Sequence, residues 1–450
     1  MVKMKIVSDI NKYCKTIMGQ QKIDGAVTYR LLNYCRFVEY NNVILLYNNL
    51  TKELIELTID EFNKIKNTQD TKDDTYKYLI NNWFLVPQDN DDVKLKNQLE
   101  TVSKLLNKNN CIDTFIIFTT TDCNARCFYC YEAGVKKINM SEQTAIQVAE
   151  FIKHHSKGNA VNLTWFGGEP LYNSGVIDII CTQLKNNNIN FRSKMTSNGY
   201  LFDKALINKS VDLWNLKRVQ ITLDGTEDVY NRCKNYIYKD GVSPYKKVLA
   251  NIKCLAEHGI YVKIRVNLGK HNVTNIYNLV DELHFEFNTY KNVKIYASPL
   301  YENNGKLLND SDYQAVMNNL FELEDYIDNM GMFDLPNLSK NIQTNFCFAD
   351  NDGAIGITPQ GKLTKCEHAI DNDLVGDIFT NTINKQLCNT WKERVTPIEL
   401  CSTCAYYPTC MTLKKCAPST ARPCNSLEQK RQLRLLDKKI IALYKKENSK

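Results

Sequence analysis

The chain has 450 residues, too many for one ordinary hydrophobic core, so two to four domains are expected. No apolar run is long enough to span a bilayer, and the first residues lack the apolar segment of a secretory signal, which points to a cytoplasmic protein off the membrane. The net charge of +7 is spread among mixed Lys, Arg, Asp and Glu with no basic block, so a nucleic-acid surface is not indicated.

The predicted elements fall into four zones. Residues 1–108 form a small module: "YCRFVEY", "NVILLYN" and "KELIELT" read as short strands, and "IDEFNKIK" and "DTYKYLINNWFL" as helices. Residues 109–300 alternate strand and helix. The strands are "FIIFTT", "VNLTWF", "FRSKMTS", "RVQITLD", "YVKIRVN" and "VKIYASP", separated by helices such as "SEQTAIQVAEFIKHH". Six such units predict an α/β fold with a parallel sheet, open or curled into a partial barrel. Residues 301–346 read as a helical bridge. Residues 347–450 are cysteine-rich and irregular, closing with the charged helix "SLEQKRQLRLLDKKIIALYKK".

Seventeen cysteines are the compositional anomaly, and in a reducing compartment clustered ones suggest metal. Cys123, Cys127 and Cys130 occupy one short loop after the first strand of the alternating zone, where barrel enzymes place their chemistry. Three thiolates can hold three irons of a four-iron four-sulfur cluster and leave the fourth open. A structural zinc would want four ligands, and no fourth lies nearby. Seven more cysteines fall in the last zone: Cys347, Cys366, Cys401, Cys404, Cys410, Cys416 and Cys424. The others (Cys14, Cys35, Cys111, Cys181, Cys233, Cys254 and Cys388) are isolated and read as small buried hydrophobes.

The spacing Cys123-x3-Cys127-x2-Cys130, with Tyr129 before the third thiol, resembles the radical S-adenosylmethionine superfamily. The resemblance implies a partial (β/α)6 barrel and S-adenosylmethionine chelating the open iron. It also implies cleavage of that cofactor to a 5′-deoxyadenosyl radical, with the three cysteines in the catalytic role and Tyr129 near the cofactor. "WFGGEP" follows the second strand and resembles the family's GGE motif: Gly167 and Gly168 let backbone approach closely, and Glu169 offers a carboxylate to the cofactor's ammonium group. "TSNG" and "ITLDG" end the third and fourth strands and resemble cofactor-contacting segments, which nominates Ser197, Asn198 and Thr222. Ordinary turn chemistry would also explain these segments.

The last zone resembles the SPASM domain of radical-enzyme maturases, with a hairpin turning at Gln360-Gly361 to deliver Cys366. That resemblance implies two auxiliary clusters. Cys401, Cys404, Cys410 and Cys424 would hold one fully. Cys347, Cys366 and Cys416 would hold the other with one iron open, although Cys410 and Cys416 enclose five residues where relatives commonly have three. Three four-iron clusters are therefore expected, with Glu367 a candidate base. The first module resembles a winged-helix-like leader-recognition domain. The whole resembles a maturase that forms thioethers in a ribosomally made precursor peptide carrying a leader, supplied with electrons by a flavodoxin or ferredoxin. Carbon–carbon crosslinking, formylglycine-type sulfatase maturation and a non-catalytic iron–sulfur electron carrier are the alternatives.

Overall fold

Short apolar stretches separated by Asn turns fold as an antiparallel sheet at the start of the chain. Its strands include β1 (Lys5–Asp9), which joins the three expected ones. β2 (Tyr29–Leu31) stands apart, and β3 (Cys35–Tyr40), β4 (Val43–Asn48) and β5 (Glu53–Thr58) complete the order β1-β5-β4-β3. Asn41 and Asn42 make the β3–β4 turn in left-handed backbone, with φ of 49° and 63°, which Asn tolerates. This computed structural model describes residues 4–9, 16–106, 111–238, 241–300, 302–303, 306–339, 342, 344–410, 413–416 and 424–449; Cys14 lies outside them.

The helix expected over "DTYKYLINNWFL" is shorter than its apolar pattern suggests. It spans Asp74–Asn81. Trp83 then takes φ 61° and the Phe84 N–H donates back to the Leu79 carbonyl at 2.9 Å, turning the chain into β6 (Leu85–Pro87), which pairs with β2.

Six strands follow in the predicted zone: β7 (Thr114–Thr120), β8 (Val161–Gly167), β9 (Phe191–Ser197), β10 (Leu216–Thr222), β11 (Tyr261–Leu268) and β12 (Val293–Pro299). All five neighbouring pairs are parallel and in chain order, the expected partial (β/α)6 barrel. Period-two alternation sets its faces. Phe115, Ile117, Leu163, Trp165, Met195, Val219, Ile264 and Ile295 sit in the main core with residues of the helices Glu142–Ser156, Ser174–Asn186, Pro244–Glu257 and Ile276–Phe287. The residues between them face the concave side.

Beyond a two-stranded hairpin, β13 (Glu302–Asn303) with β14 (Lys306–Leu307), the bridge is one long helix, Asp310–Asn329. The cysteine-rich zone does not fold apart from the barrel. β15 (Ala354–Ile357) pairs in parallel with β7, and β16 (Lys362–Thr364), β17 (Gly376–Asp377) and β18 (Thr382–Ile383) extend the same sheet to ten strands. The β15–β16 hairpin turns where expected, with Gly361 at φ 80°.

The C-terminal helix, Ser426–Asn448, starts on an Asn425 cap whose side chain accepts from the Leu427 and Glu428 N–H groups. Its Leu436 and Ile440 pack on Leu45, Tyr47 and Leu54 of the first sheet. On its other flank, Arg431 pairs with Glu324 of the bridging helix at 2.8 Å, and Lys438 pairs with Asp325 at 3.1 Å. Among the described residues no helix is long and apolar enough to cross a membrane.

Candidate active site

The thiol triplet is held by a loop with little freedom. Beyond β7, the Asp122 N–H donates to the Thr120 hydroxyl, and the Asp122 carboxylate accepts from the Cys123 N–H at 2.8 Å. The Ala125 N–H donates to Cys123 Sγ at 3.4 Å, and the Cys130 N–H to the Cys127 carbonyl at 3.2 Å. From outside, the Arg126 N–H reaches the Lys234 carbonyl and the Asn124 carbonyl accepts from the Ile237 N–H. Burial pushes the Cys123 thiol up to about 12 and raises Cys127 and Cys130 as well.

The GGE corner presses against this loop. Gly167 has φ 130°, and a Cβ there would stand 2.1 Å from the Thr120 carbonyl oxygen; at Gly168 it would stand 2.3 Å from that of Asp122. The close approach these glycines permit is thus to the cysteine loop itself, sealed by Gly168 N–H to Thr120 and Glu169 N–H to Asp122. Glu169 is fully buried. Its carboxylate accepts from Ser197 Oγ at 2.9 Å, from the Leu171 N–H at 3.1 Å and from the Asn198 N–H at 2.7 Å. Burial outweighs these bonds and pushes Glu169 up to about 7. Asn198 Nδ2 lies 2.7 Å from Asn124 Oδ1 and 3.7 Å from Cys123 Sγ, so the third strand end also touches the loop. Thr222 ends β10 beside Arg265 of β11.

Beneath the loop is a buried group that sequence reasoning missed. The Tyr129 hydroxyl donates to Asp224, while Lys234 Nζ donates to that hydroxyl at 2.9 Å and pairs with Asp224 at 3.3 Å. Burial opposes the Lys234 charge, but Asp224 and then Tyr129 hold it well above the ordinary lysine range. No spacing rule links a lysine at the end of the helix Glu227–Lys234 to a tyrosine on a distant loop. The Asp-Gly at 224–225 was visible, but its partner was not.

In the last zone the cysteines gather in two groups. Cys410 feels the charges of Cys424, Cys404 and Cys401, and burial pushes it up to about 12. Cys366 feels Glu367, then Cys347 and Cys416, and burial again pushes it up to about 12. Cys388 is buried on the helix Lys385–Thr390 and responds to Lys365 and Lys392 instead. The first module covers the four-thiol group: Tyr407 joins Leu32, Tyr34 and Val86 in one core against which Cys401, Cys404 and Cys410 pack. The Asn33 and Asn49 side chains donate to the Ser402 and Ala405 carbonyls. The three-thiol group adjoins the opening loop. The Tyr131 and His368 rings stand 4.3 Å apart, and the Glu367 charge reaches Tyr131 as well as Cys347 and Cys366. Glu132, after Cys130, is a buried carboxylate beside Tyr131, and burial pushes it up to about 7.

Among the described residues no three Cys, His, Asp or Glu side chains converge as one metal ion requires. Thiolates at the corners of a cluster bind different irons and need not converge so closely. Three soft donors on one loop, an N–H aimed at Cys123 Sγ and an Asn124 Nδ2 beside it that is buried without a partner among the described residues fit an iron–sulfur cluster with a polar ligand at its open corner.

A partial parallel barrel with such a loop at the C-terminal end of its first strand defines an α/β enzyme of the iron–sulfur type. Residues 117–283 match the family described as the Radical SAM superfamily, so the chain carries a radical SAM domain, which implies a four-iron four-sulfur cluster and S-adenosylmethionine. The chain is 23% identical over 325 residues to a cysteine-type anaerobic sulfatase-maturating enzyme of Clostridium novyi, covering 65% of this chain and 84% of that protein. Among solved structures it resembles anSMEcpe with bound AdoMet, at TM-score 0.55 and 15% identity over 74% of this chain and 99% of that one. It also resembles Streptococcus suis SuiB bound to S-adenosylmethionine, at TM-score 0.50 and 16% identity over 87% and 94% of the two chains. At such identities the structural likeness is one of fold.

Proposed function

We propose that the protein modifies a ribosomally made precursor peptide, joining a peptide cysteine sulfur to a carbon of another residue. One observation carries this reading. β9 runs between the two centres: at its end Ser197 and Asn198 donate to Glu169, and on its concave face Lys194 lies in the field of Cys347. A peptide thiol bound at the open corner of the Cys347, Cys366 and Cys416 group would therefore share a chamber with the radical.

When bound, the first cluster and S-adenosylmethionine supply a 5′-deoxyadenosyl radical that removes hydrogen from unactivated carbon. The chain's residues do the rest. Cys123, Cys127 and Cys130 hold the cluster, and Asn198 and Glu169 brace the loop and face the cofactor's amino-acid end. The four-thiol group would hold a second auxiliary cluster, making three. Glu367, whose charge reaches Tyr131, Cys347 and Cys366, would take the proton of an incoming thiol. The edges of the first sheet, β1 and β3, offer backbone for strand addition by a leader. The relative named above is a sulfatase-maturating enzyme, and one anSMEcpe structure carries a bound peptide, which favours a peptide substrate.

The test is anaerobic reconstitution, reduction and incubation with S-adenosylmethionine and a short cysteine-containing precursor encoded beside this gene. Thioether formation removes one hydrogen from sulfur and one from carbon, so the cysteine no longer has a thiol to alkylate. A hydrazine-reactive aldehyde would mark formylglycine formation instead. No 5′-deoxyadenosine from a fully loaded chain would mark an electron carrier.

A further inference from the structure

The concave face of the barrel carries cations for which the chemistry above has no task. β8 to β12 contain no Asp or Glu. Their concave positions hold Arg192, Lys194, Arg218, Lys263 and Arg265, because Met195, Val219 and Ile264, the residues between, are buried against the helices. Register sets Lys194 directly beside Arg218, and Gln220 beside Lys263. Some of these charges are answered: Arg192 donates to Asn162 Oδ1 at 2.6 Å, and Lys263 pairs with Asp334 at 2.7 Å. Others are not. Among the described residues Lys194 and Arg218 have no hydrogen bond or ion pair, and Arg218 only lies over the Tyr261 ring at 5.1 Å. Arg265 Nε is buried without a partner among the described residues, while its Nη2 donates to Ser298 Oγ at 3.5 Å. Burial, and then the like charge of Arg218, hold Lys194 below the ordinary lysine range, so the pair stands ready to gain from an anion.

The cofactor's own carboxylate does not account for this patch. The groups assigned to the cofactor sit at the strand ends, whereas Lys194 precedes Ser197 by three residues, roughly 10 Å along an extended strand. We propose that Lys194 and Arg218 bind a carboxylate of the substrate peptide, holding an acidic residue between the cofactor site and Cys347. This rests on the peptide-modifying reading. Two cations with no competing anion discriminate strongly between a carboxylate and its isosteric amide, because the amide leaves both charges unanswered.

Three synthetic peptides separate the sources of the carboxylate: Ac-Gly-Cys-Gly-Asp-Gly-NH2, its Asn counterpart with an amidated end, and the Asn counterpart with a free C-terminal carboxylate. Binding to the reconstituted enzyme is measured by calorimetry with S-adenosylmethionine saturating, so that the cofactor's carboxylate site is filled. The Asp peptide should bind roughly tenfold or more tighter than the amidated Asn peptide. Lys194→Met and Arg218→Met should each erase that preference, while Lys194→Arg keeps it. Tighter binding of the free-acid Asn peptide alone would assign the patch to a C-terminal carboxylate. Equal binding of all three, or an Asp preference that survives Lys194→Met and Arg218→Met, overturns the inference and leaves the peptide reading standing. If none of the three binds while S-adenosylmethionine is bound and cleaved, the peptide reading falls and takes this inference with it.

Discussion

Arg36 on β3 and Asp437 on the C-terminal helix form a two-point ion pair, with Nε to Oδ1 at 2.6 Å and Nη2 to Oδ2 at 2.7 Å. It fastens the first sheet to the helix that begins directly after Cys424, so the first module is tied to the four-thiol group on two sides. Arg36→Ala should cost about 1 kcal/mol in chemical denaturation, since the pair is only partly buried. An Arg36→Ala/Asp437→Ala double variant should cost less than the sum of the two singles.

Removing residues 1–106 should cost iron, and not only substrate affinity. The deletion strips Leu32, Tyr34 and Val86 from the core that shields Cys401, Cys404 and Cys410. Iron per chain should fall by about a third after anaerobic reconstitution. A truncated chain with full iron would show instead that the module is a detachable recognition domain.

Replacing Cys123, Cys127 and Cys130 together with Ala should remove about a third of the iron and abolish 5′-deoxyadenosine formation. Iron analysis and chromatography of the quenched reaction check this, and continued cofactor cleavage would contradict it.

Gly168→Ala should act on the opening loop alone. The new Cβ cannot coexist with the Asp122 carbonyl, so the GGE corner or the cysteine loop must shift. Binding of S-adenosylmethionine should weaken by at least tenfold, on the order of 1.4 kcal/mol. The C-terminal thiols should keep their iron. Undiminished affinity would mean that the corner has slack the structure does not suggest.

Cys388→Ala should leave iron content unchanged and cost about 1 kcal/mol of stability from lost packing. The charges acting on this thiol are those of Lys365, Lys392 and Asp352, with none of the three cysteines among them. Lost iron would make Cys388 the missing fourth ligand.

Lys234→Met should be severe, because it leaves the Asp224 carboxylate buried without its cation. A cost of roughly 3–5 kcal/mol is expected for breaking such a pair. Lys234→Met/Asp224→Asn should recover part of it, read by denaturation of the iron-free chain.

What could be read from sequence was local. Five of the six barrel strands were visible because they alternate apolar and polar residues between clear helices, the first as a short continuous apolar run, and the thiols were visible because their spacing is compact. The Lys234–Tyr129 contact, the β15–β7 pairing and the docking of Tyr407 on Tyr34 were not, since each depends on residues about a hundred or more positions apart meeting in space. The pattern "FRSKMTS" showed alternation, but nothing in it told which face would be left concave and charged. The glycines of the GGE corner were visible as a motif. Their partner proved to be the chain's own backbone, and only the three-dimensional neighbourhood reveals that.

The pairing of β15 with β7 also has a consequence for synthesis. Thr114–Ile117 is matched to Ala354–Ile357, so the backbone edge of β7 waits for more than two hundred further residues before it is covered. A ribosome-bound chain that stops short of Ala354 presents that edge, with Phe115, Ile116 and Ile117 along it, to any passing strand. The C-terminal strands are therefore a late-arriving safeguard against aggregation, and chains shortened from the C-terminus should enter inclusion bodies long before the radical machinery itself has lost a residue.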